Sequence, residues 1–496
     1  MTEVCLAQST TPQGASALVQ PYPSATMKRI IRPFLALAAL LIAVGLTGCA
    51  DGLTGVDEAP GPVQSHQQGK LRHAHLLDRA VRPAPATTGF DKDGNALQTE
   101  ATTDSTVGLI IGTREPSFDS YKLFRRYKLF RRYEYQNVFY GLAVEVPVGE
   151  LGSLLEYLEL LPGIAWVEPD VLISHEEGSV RLLNDDSPVT PWGIERIGAA
   201  STPAPNLADV DLYVLDSGVR TDDLALVSET DFTDPAQVGA DPHGYHVAGT
   251  AAALQNDRYV VGGAPGVRVH SIKVLNPHGG TPMSQIIAGV EHLIRQRQAN
   301  PDRPMVANFS LGADMGTTDY NALDRAVQAA IDARITVVVA AGNDGIDAST
   351  VSPAHVADAI TVGAYDQADQ FASFSNHGPV VDILAPGVDI LSLAFNATGT
   401  TTKGLMSGTS MAAPHVAAAA AQYLARYPEA TPQQVRQALV AGGQAVILGT
   451  PANTTRTTVY VGDAAPAPSD ATAPISGSDK DAWFEISPNR LINRLF

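Results

Sequence analysis

Apolar strands alternate with helical patterns from Pro191 onward, and this alternation constrains the fold more than any other feature of the chain. Val337-Val338-Val339 is apolar at successive positions, which is typical of a strand covered by helices on both faces. The predicted strands are residues 210–215, 267–275, 305–310, 335–340, 359–364 and 380–384, and the predicted helices are residues 243–254, 284–297, 320–333, 410–426 and 432–440. The pattern predicts an α/β domain with a doubly wound, mostly parallel sheet and ligand sites at the strands' carboxyl ends.

Three motifs at strand and helix ends can carry chemistry. Asp216-Ser217-Gly218 follows a predicted strand, Asp241-Pro242-His243 begins a helix, and Gly408-Thr409-Ser410 brings a serine to the first turn of another helix. Asp241 is expected to cap its helix and His243 to face outward. Each motif alone is common in ordinary turns. Together, in the order Asp, His, Ser on an α/β sheet, they match one of the known serine-protease arrangements.

On these motifs the chain resembles the subtilisin-like serine peptidases, within them the proteinase K-like branch. The resemblance covers residues 106–496. It also includes Pro191-Trp192-Gly193-Ile194, Ser310-Leu311-Gly312, Ala340-Ala341-Gly342-Asn343, Phe374-Ser375-Asn376, Ala385-Pro386-Gly387 and the closing segment Ser487-Pro488-Asn489-Arg490-Leu491. It implies a serine endopeptidase with a subtilisin-like catalytic domain at residues 191–496.

The resemblance also implies residue roles. Ser410 is the nucleophile, His243 the general base and then acid, and Asp216 the group that orients the imidazole. Asn343 joins the backbone N–H of Ser410 as oxyanion hole. The implied substrate groove is lined by Ser310, Leu311, Gly312, Ala341 and Gly342, and its few charges indicate a broad or apolar primary pocket.

Departures from the family pattern motivate an alternative. Tyr245 stands in place of a usual threonine, Pro242 in place of a glycine, and Ala417 replaces a common glycine behind the serine. The alternative is a catalytically silent surface-binding protein that keeps the subtilisin fold. A zinc peptidase is disfavoured because no His-Glu-x-x-His motif occurs. His246 and His415 match family positions that are packed rather than catalytic.

The N-terminal region resembles a bacterial lipoprotein leader. Residues 27–48 combine a basic start at Met27 with an apolar run from Phe34 to Leu46, and Leu46-Thr47-Gly48-Cys49 resembles a lipobox. Cys49 is the predicted lipidation site, and residues 1–26 are interpreted as an over-extended start. The alternatives are a plain signal peptide with an incidental cysteine, or an uncleaved anchor. Because Cys5 and Cys49 are the two cysteines, no disulfide framework is expected.

Between leader and catalytic domain the sequence predicts three segments. Residues 49–105 lack periodicity and predict a flexible tether. Residues 106–172 predict a small ferredoxin-like α+β unit, with strands at 107–111, 138–146 and 164–167 and a helix at 149–161. This unit resembles the family's inhibitory propeptide and is too small to be robust alone. Residues 173–190 predict an accessible linker with the autocleavage site.

A tandem repeat lies inside the propeptide-like unit. Tyr121-Lys-Leu-Phe-Arg-Arg is followed at once by Tyr127-Lys-Leu-Phe-Arg-Arg. Two copies are too few for a solenoid, so we interpret them as a duplication in an exposed loop or helix extension, with a basic recognition element as the alternative. Residues 464–486 predict a surface excursion.

Charge limits the expected partners. The 52 acidic and 33 basic residues give a formal charge of −19, which disfavours nucleic acid or an anionic membrane surface as partner. The expected partners are peptide or protein substrates and the chain's own propeptide, with membrane contact only through lipid on Cys49. We expect an exported monomer whose precursor is membrane-anchored. Chemistry requires no cofactor, but the resemblance points to structural calcium at Asp382, and at Asp223 with Asn256.

Overall fold

The structure is a computed structural model that describes residues 69–83, 89–90, 96–97, 105–116, 118, 120–173, 180–183, 185–199, 206–233, 241–277 and 280–462. The predicted leader, Cys49, the excursion at 464–486 and the closing segment at 487–491 lie outside these residues. No helix in the described ranges has the length and apolar character needed to cross a membrane.

The N-terminal part of the described chain is built on an antiparallel sheet. Its strands and helices are β1 (Val81–Pro83), β2 (Gly89–Phe90), β3 (Ala96–Leu97), β4 (Ser105–Thr113), α1 (Tyr121–Tyr127), β5 (Phe130–Tyr135), β6 (Gly141–Pro147), α2 (Leu151–Leu160) and β7 (Ile164–Pro169). The sheet runs β5-β6-β4, and both β1 and β7 pair with β4; β2 and β3 pair separately. Leu154 and Leu158 on α2 are buried, as the leucine spacing predicts. The βαββαβ order is ferredoxin-like.

The tether prediction is wrong for residues 69–83, which are folded. Leu76 and Leu77, on a 3-10 helix at Ala74–Ala80, are buried, and β1 pairs with β4. Lys70 Nζ donates to the carbonyls of Leu158, Glu159 and Leu161, at the end of α2 where a cation is favoured. These contacts are all long-range, so local periodicity does not reveal them.

The two copies of the tandem repeat adopt different structures. The first copy lies in helix α1, and the residue after that helix, Lys128, has a left-handed φ of 50°. The second copy enters β5, whose residues pair with β6. Leu123 in the helix and Leu129 after it are both buried. Neither copy is an exposed loop, and the neighbouring strand, rather than the hexapeptide, selects the conformation.

A nine-stranded sheet organises the C-terminal part and confirms the predicted fold class. The strands of this part are β8 (Leu172–Ile173), β9 (Arg181–Leu183), β10 (Asp211–Asp216), β11 (Leu226–Asp231), β12 (Arg268–Lys273), β13 (Thr281–Pro282), β14 (Met305–Phe309), β15 (Ala313–Asp314), β16 (Thr336–Ala340), β17 (Val351–Ser352), β18 (Ile360–Tyr365), β19 (Ile383–Pro386), β20 (Ile390–Phe395), β21 (Thr401–Met406), β22 (Gln444–Ala445) and β23 (Thr457–Thr458). The sheet order is β11-β12-β10-β14-β16-β18-β19-β23-β22, parallel except for the final β23–β22 pair.

Helices cover both faces of this sheet. They are α3 (Trp192–Arg196), α4 (His243–Ala252), α5 (Met283–Ala299), α6 (Ala322–Asp332), α7 (Thr409–Arg426) and α8 (Pro432–Gly442), and single 3-10 turns occur at Val148–Glu150, Leu207–Asp209 and Ala348–Thr350. One apolar cluster packs α4 and α7 on one side of the sheet, and a second packs α5 and α6 on the other. Such coverage buries strand side chains on both faces, as the apolar runs predict.

Two carboxylates at the end of β7 join the propeptide-like unit to the catalytic part. Glu168 accepts a hydrogen bond from the backbone N–H of Ala322 at 2.8 Å, and Asp170 accepts from the N–H of Ser284 at 2.8 Å. These donors lie in the first turns of α6 and α5, where the helix dipole favours negative charge. The propeptide-like unit also contacts the side of α5, where Glu291 accepts a hydrogen bond from the N–H of Asn137 at 2.8 Å. The small unit therefore leans on these two helices.

Candidate active site

The strand β10 and the helix α4 bring a carboxylate and an imidazole together. Asp216 is the last residue of β10, and His243 is the first residue of α4. His243 Nδ1 lies 2.7 Å from Asp216 Oδ1, in the position to donate its proton to the carboxylate. His243 is 1% exposed, so the prediction that it faces outward is wrong. The contact with Asp216 therefore fixes the orientation of the imidazole ring.

Ser217 and Asp241 position these two groups. Asp241 Oδ1 accepts from the N–H of His243 at 2.8 Å, but the N-cap position of α4 is held by Pro242 rather than by Asp241 as predicted. Ser217 Oγ donates to the Asp241 carbonyl at 3.1 Å and accepts from the N–H of Gly244 at 2.9 Å. Ser217 therefore ties the end of β10 to the start of α4. The motif Asp216-Ser217-Gly218 does not by itself indicate this role for Ser217, although its place beside the candidate carboxylate is a usable signal.

Ser410 lies in the first turn of α7, which packs against α4. Its Oγ donates to the Ser310 carbonyl at 3.3 Å. Pro414 has no N–H, so the Ser410 carbonyl lacks the donor that a helix normally supplies four residues later. Ser310 Oγ supplies it instead, at 2.8 Å. Ser310, assigned to the groove from sequence, therefore also anchors the start of the serine helix to β14.

Asn343 is oriented toward the same site by Thr409. Its Oδ1 accepts from the backbone N–H of Thr409 at 2.8 Å and from Thr409 Oγ1 at 3.0 Å. With the amide oxygen engaged in this way, Nδ2 is the end that can donate outward beside Ser410.

Asn376 shapes the loop that carries Asn343, a role that its place in the Phe374-Ser375-Asn376 motif does not reveal. It is fully buried, its Nδ2 donates to the Ala341 carbonyl at 2.9 Å, and its Oδ1 accepts from the N–H of Asp344 at 3.0 Å. Gly342 has φ +99°, and a Cβ there would lie 2.3 Å from Asn376 Nδ2. A glycine is therefore required where the loop passes over Asn376.

The short strand β8 packs on the same side of the sheet as one of the predicted groove residues. β8 pairs antiparallel with β13, Ile173 opposite Thr281. Ile173 is fully buried and shares an apolar cluster with Leu311, one of the predicted groove residues. Ala341 and Gly342 lie on the loop between β16 and Asn343. Gly312 leads from Leu311 into β15.

His246 and His415 are packed, as predicted. His246 Nε2 lies 2.8 Å from the Ile390 carbonyl, and burial lowers its pKa to about 3. His415 Nδ1 lies 2.8 Å from the Met411 carbonyl, and burial lowers its pKa to about 4. The Tyr245 ring contacts Phe395 and its hydroxyl donates to the Arg220 carbonyl, so this side chain is bonded to groups outside the Asp216–His243 pair. This departure from the family pattern leaves the Asp216–His243 pair intact.

The residues proposed for calcium do not fit that ion well. Asp382 forms an ion pair with Arg436, and its other oxygen accepts from the N–H of Thr361 at 2.9 Å. Asn256 presents its amide nitrogen to Asp223 Oδ1 at 2.6 Å, because its own oxygen accepts from the N–H of Arg258. Calcium needs six to eight oxygen ligands. Within the described residues, no group of three or more His, Cys, Asp or Glu side chains could hold a metal ion.

Comparisons with known proteins agree with the class that fold and site define, a serine hydrolase on a doubly wound sheet. The model of the Subtilase family matches residues 207–457. The chain is 40% identical over 325 residues to the extracellular serine proteinase of Thermus sp. (strain Rt41A), covering 62% of this chain and 71% of that protein. It is 38% identical over 289 residues to subtilisin E of Bacillus subtilis (strain 168), covering 56% and 70%.

A solved structure, that of a cold adapted subtilisin-like serine proteinase, is 34% identical and covers 54% of this chain and 97% of that chain, with a TM-score of 0.47. On the family match and these relatives, the chain belongs to the subtilase family. It is a subtilisin-like serine endopeptidase.

Proposed function

We propose that this endopeptidase hydrolyses peptide bonds through Ser410, His243 and Asp216. The 2.7 Å contact between His243 and Asp216 carries the proposal, since it fixes the tautomer in which Nε2 accepts a proton. His243 removes the proton of Ser410 Oγ as that oxygen attacks the substrate carbonyl. The attack gives a tetrahedral intermediate, and His243 gives its proton to the amine nitrogen as the C–N bond breaks and the amine leaves. Water then hydrolyses the acyl-enzyme that remains, with His243 again acting as base.

Asn343 Nδ2 and the backbone N–H of Ser410 stabilise the oxyanion in this proposal. The two bonds from Thr409 to Asn343 Oδ1 support it, because they aim the amide nitrogen. Replacing Asn343 with alanine is expected to lower kcat roughly 10²–10³-fold, a magnitude measured for the oxyanion asparagine of subtilisin itself. Thr409→Val keeps the donor but loosens its orientation, so its loss is expected to be smaller. Equal kcat for Asn343→Ala and wild type would refute the assignment.

A fluorophosphonate probe distinguishes this enzyme from the alternative, a silent surface-binding protein. Mature wild type is expected to be labelled on Ser410, and Ser410→Ala to remain unlabelled. Asp216→Asn, which keeps the shape of the side chain, is expected to react far more slowly because His243 loses its orienting charge. Absence of labelling in wild type would favour the silent alternative.

We also propose that the chain is made as a zymogen. Two strands that flank residues 174–179 support this, since β8 pairs with β13 and β9 pairs with β21, the strand that leads to Ser410. Six residues, 174–179, separate Ile173 from Val180. These six residues are the proposed site of self-cleavage. Residues 106–172 then act as intramolecular inhibitor.

The proposed leader links this cleavage to location. With lipid on Cys49, the precursor is membrane-anchored, and cleavage at 174–179 leaves the lipid on the propeptide and frees the protease. The relative named an extracellular serine proteinase supports export. The Pro191-Trp192-Gly193-Ile194 motif supports placement in the proteinase K-like branch. In the proposed mechanism, no step uses a metal ion.

Mass spectrometry of membrane and soluble fractions tests the zymogen and the anchor together. Ser410→Ala is expected to remain full-length in the membrane fraction, while wild type yields a soluble fragment that begins within residues 174–180. Equal release of both proteins would refute self-cleavage. A mature N-terminus upstream of Cys49 would refute the lipid anchor.

A further inference from the structure

The segment that follows the linker is attached to the catalytic domain by contacts of its own. β9 pairs antiparallel with β21, with Leu183 opposite Lys403 and Arg181 opposite Leu405. Thr402 Oγ1 donates to the Leu183 carbonyl at 2.8 Å. Val180 packs against the main apolar cluster, close over Gly404, where a Cβ would lie 2.5 Å from the valine.

A buried lysine continues this attachment. The Lys403 side chain is 2% exposed, and its Nζ donates to the Ser187 carbonyl at 2.6 Å and to Asp185 Oδ2 at 3.3 Å. A buried ammonium group without partners is strongly unfavourable. Displacing residues 185–187 would remove the oxygen atoms that Lys403 Nζ bonds to, so their detachment costs free energy. Further along, the N–H of Val189 donates to the Tyr259 carbonyl at 2.9 Å. All these partners belong to the catalytic part and none to the propeptide-like unit.

The proposed self-cleavage assigns β9 to one side of the scissile bond. A cut between β8 and β9 leaves β8 on the acyl part of the chain and β9 on the leaving-group part. β21 reaches Ser410 through Met406 and the turn that follows. β9 pairs with Lys403, Gly404 and Leu405 of β21. Between this paired stretch and the turn before Ser410, Met406 and Ser407 remain to form backbone hydrogen bonds with the leaving-group part of a substrate.

We propose that residues 180–183 and 185–189 stay in place after self-cleavage, so that β9 closes the leaving-group side of the groove a few residues beyond the scissile bond. Lys403 is the positioning residue for this closure. The inference rests on the proposed self-cleavage, and it makes the enzyme indifferent to substrate residues far beyond the scissile bond.

The first test follows the segment itself in the mature enzyme, inactivated with a fluorophosphonate to prevent autolysis. Intact mass is expected to place the N-terminus at or before Val180. Hydrogen exchange is expected to be slow at residues 181–183 in wild type and fast in Lys403→Met. A mature N-terminus beyond Leu183, or exchange at residues 181–183 in wild type as fast as in an unstructured peptide, would overturn the proposal.

The second test uses quenched fluorescent peptides that share one acyl part and carry two, four or six residues after the scissile bond. Wild type is expected to show kcat/KM values that agree within about twofold across the series. In Lys403→Met, the longer peptides are expected to gain about five- to tenfold, since released β21 offers two or so further backbone hydrogen bonds. If kcat/KM of wild type rises with peptide length as much as that of Lys403→Met, the proposed closure is wrong.

Two further variants keep the result interpretable. Thr402→Val removes only the hydroxyl bond to Leu183. Its kcat/KM for the longer peptides is expected to rise by less than that of Lys403→Met, and this variant replaces Lys403→Met if the latter does not fold. Thr398→Val is the matched control, because its Oγ1 bonds to Asn396 Oδ1 in the turn of the same hairpin. A p-nitroanilide with the same acyl part has no residues on the leaving-group side. If wild type and variants cleave it at equal rates, the differences seen with the longer peptides come from the closure by β9 and not from the catalytic step. If wild type does not cleave it at all, the proposed catalysis is refuted.

Discussion

At the scale of single residues, Pro414 and Ser310 form a compensating pair. Pro414 deprives the Ser410 carbonyl of its helical donor, and Ser310 Oγ replaces that donor at 2.8 Å. Sequence alone presents Pro414 as an unfavourable residue inside a helix. The structure explains it, because the proline leaves a carbonyl that fastens the first turn of α7 to the strand beside it.

This pairing predicts a rescue. In a Ser410→Ala background that prevents autolysis, Ser310→Ala is expected to lower the free energy of unfolding by about 1–3 kcal/mol, because a buried carbonyl loses its donor. Adding Pro414→Ala restores a backbone N–H and is expected to recover part of the loss. Urea unfolding measures both. If Pro414→Ala has the same effect with and without Ser310, the two residues are not coupled.

Arg436 predicts a second stability effect. Burial raises the pKa of Asp382, and the Arg436 guanidinium opposes that rise by pairing with the carboxylate. Arg436→Met is expected to destabilise the Ser410→Ala protein by about 3 kcal/mol, since it strands a buried charge.

The exposed pair Arg220–Glu229 supplies the control for Arg436, because the Arg220 side chain is 82% exposed. Arg220→Met is expected to change the free energy of unfolding by less than about 0.5 kcal/mol. Similar small effects for both variants would contradict the role given to Arg436. They would also reopen Asp382 as a candidate calcium ligand.

At the scale of elements, α4 and α7 each carry a histidine that is buried and neutral. The pKa is lowered to about 3 for His246 and to about 4 for His415. Below the ordinary value of about 6.5, the unfolded chain binds protons that the native state does not, so stability falls with acid. The window for this loss runs from about pH 6.5 down to the native pKa values.

The prediction is a difference in slope. Between pH 7 and pH 5, His415→Gln in the Ser410→Ala background is expected to lose about 2 kcal/mol less stability than the parent, at up to about 1.4 kcal/mol per pH unit for one group. Urea unfolding at several pH values measures it. Parallel pH profiles for variant and parent would show that His415 is protonated equally in both states. The absolute stability of the variant does not enter the comparison.

Elements also show where sequence patterns work. The six predicted sheet strands and five predicted helices all occur, each shifted by at most three residues at either end. The hairpin β20–β21, the edge strand β11 and β9 were missed. β11 has exposed and half-buried residues, and β9 is three residues long, so neither has the apolar run that identified the central strands.

At the scale of the whole molecule, the propeptide-like unit is held through helix N-termini. Asp170 accepts from both the N–H and the Oγ of Ser284, at 2.8 and 2.7 Å, and also pairs with Arg82. Charge-assisted bonds of this kind are stronger than neutral ones. Asp170 therefore couples the small unit internally and to α5 at once.

Asp170→Ala is expected to shorten the lag between self-cleavage of purified precursor and full proteolytic activity, because the cleaved propeptide leaves sooner. A loss of about 1–3 kcal/mol corresponds to roughly 5- to 150-fold faster release. Glu156→Ala is the control, since Glu156 is an exposed acid on α2 of the same unit. Equal lags for the two variants would place the inhibitory contact elsewhere.

The sequence by itself determined the doubly wound fold and the motifs at the strand ends, because apolar periodicity and turn residues are local properties. Only the tertiary structure decided which partners those motifs meet. The hexapeptide Tyr-Lys-Leu-Phe-Arg-Arg is a helix in one copy and enters a strand in the next, although its local propensity is the same in both. Three further contacts likewise join residues that are far apart in sequence. They are the bond from Ser310 to the Ser410 carbonyl, the ion pair of Arg436 with Asp382, and the bonds of Lys403 to the segment after β9. Burial and long-range hydrogen bonding outweigh local preference at such places, and those forces act only once the chain has folded.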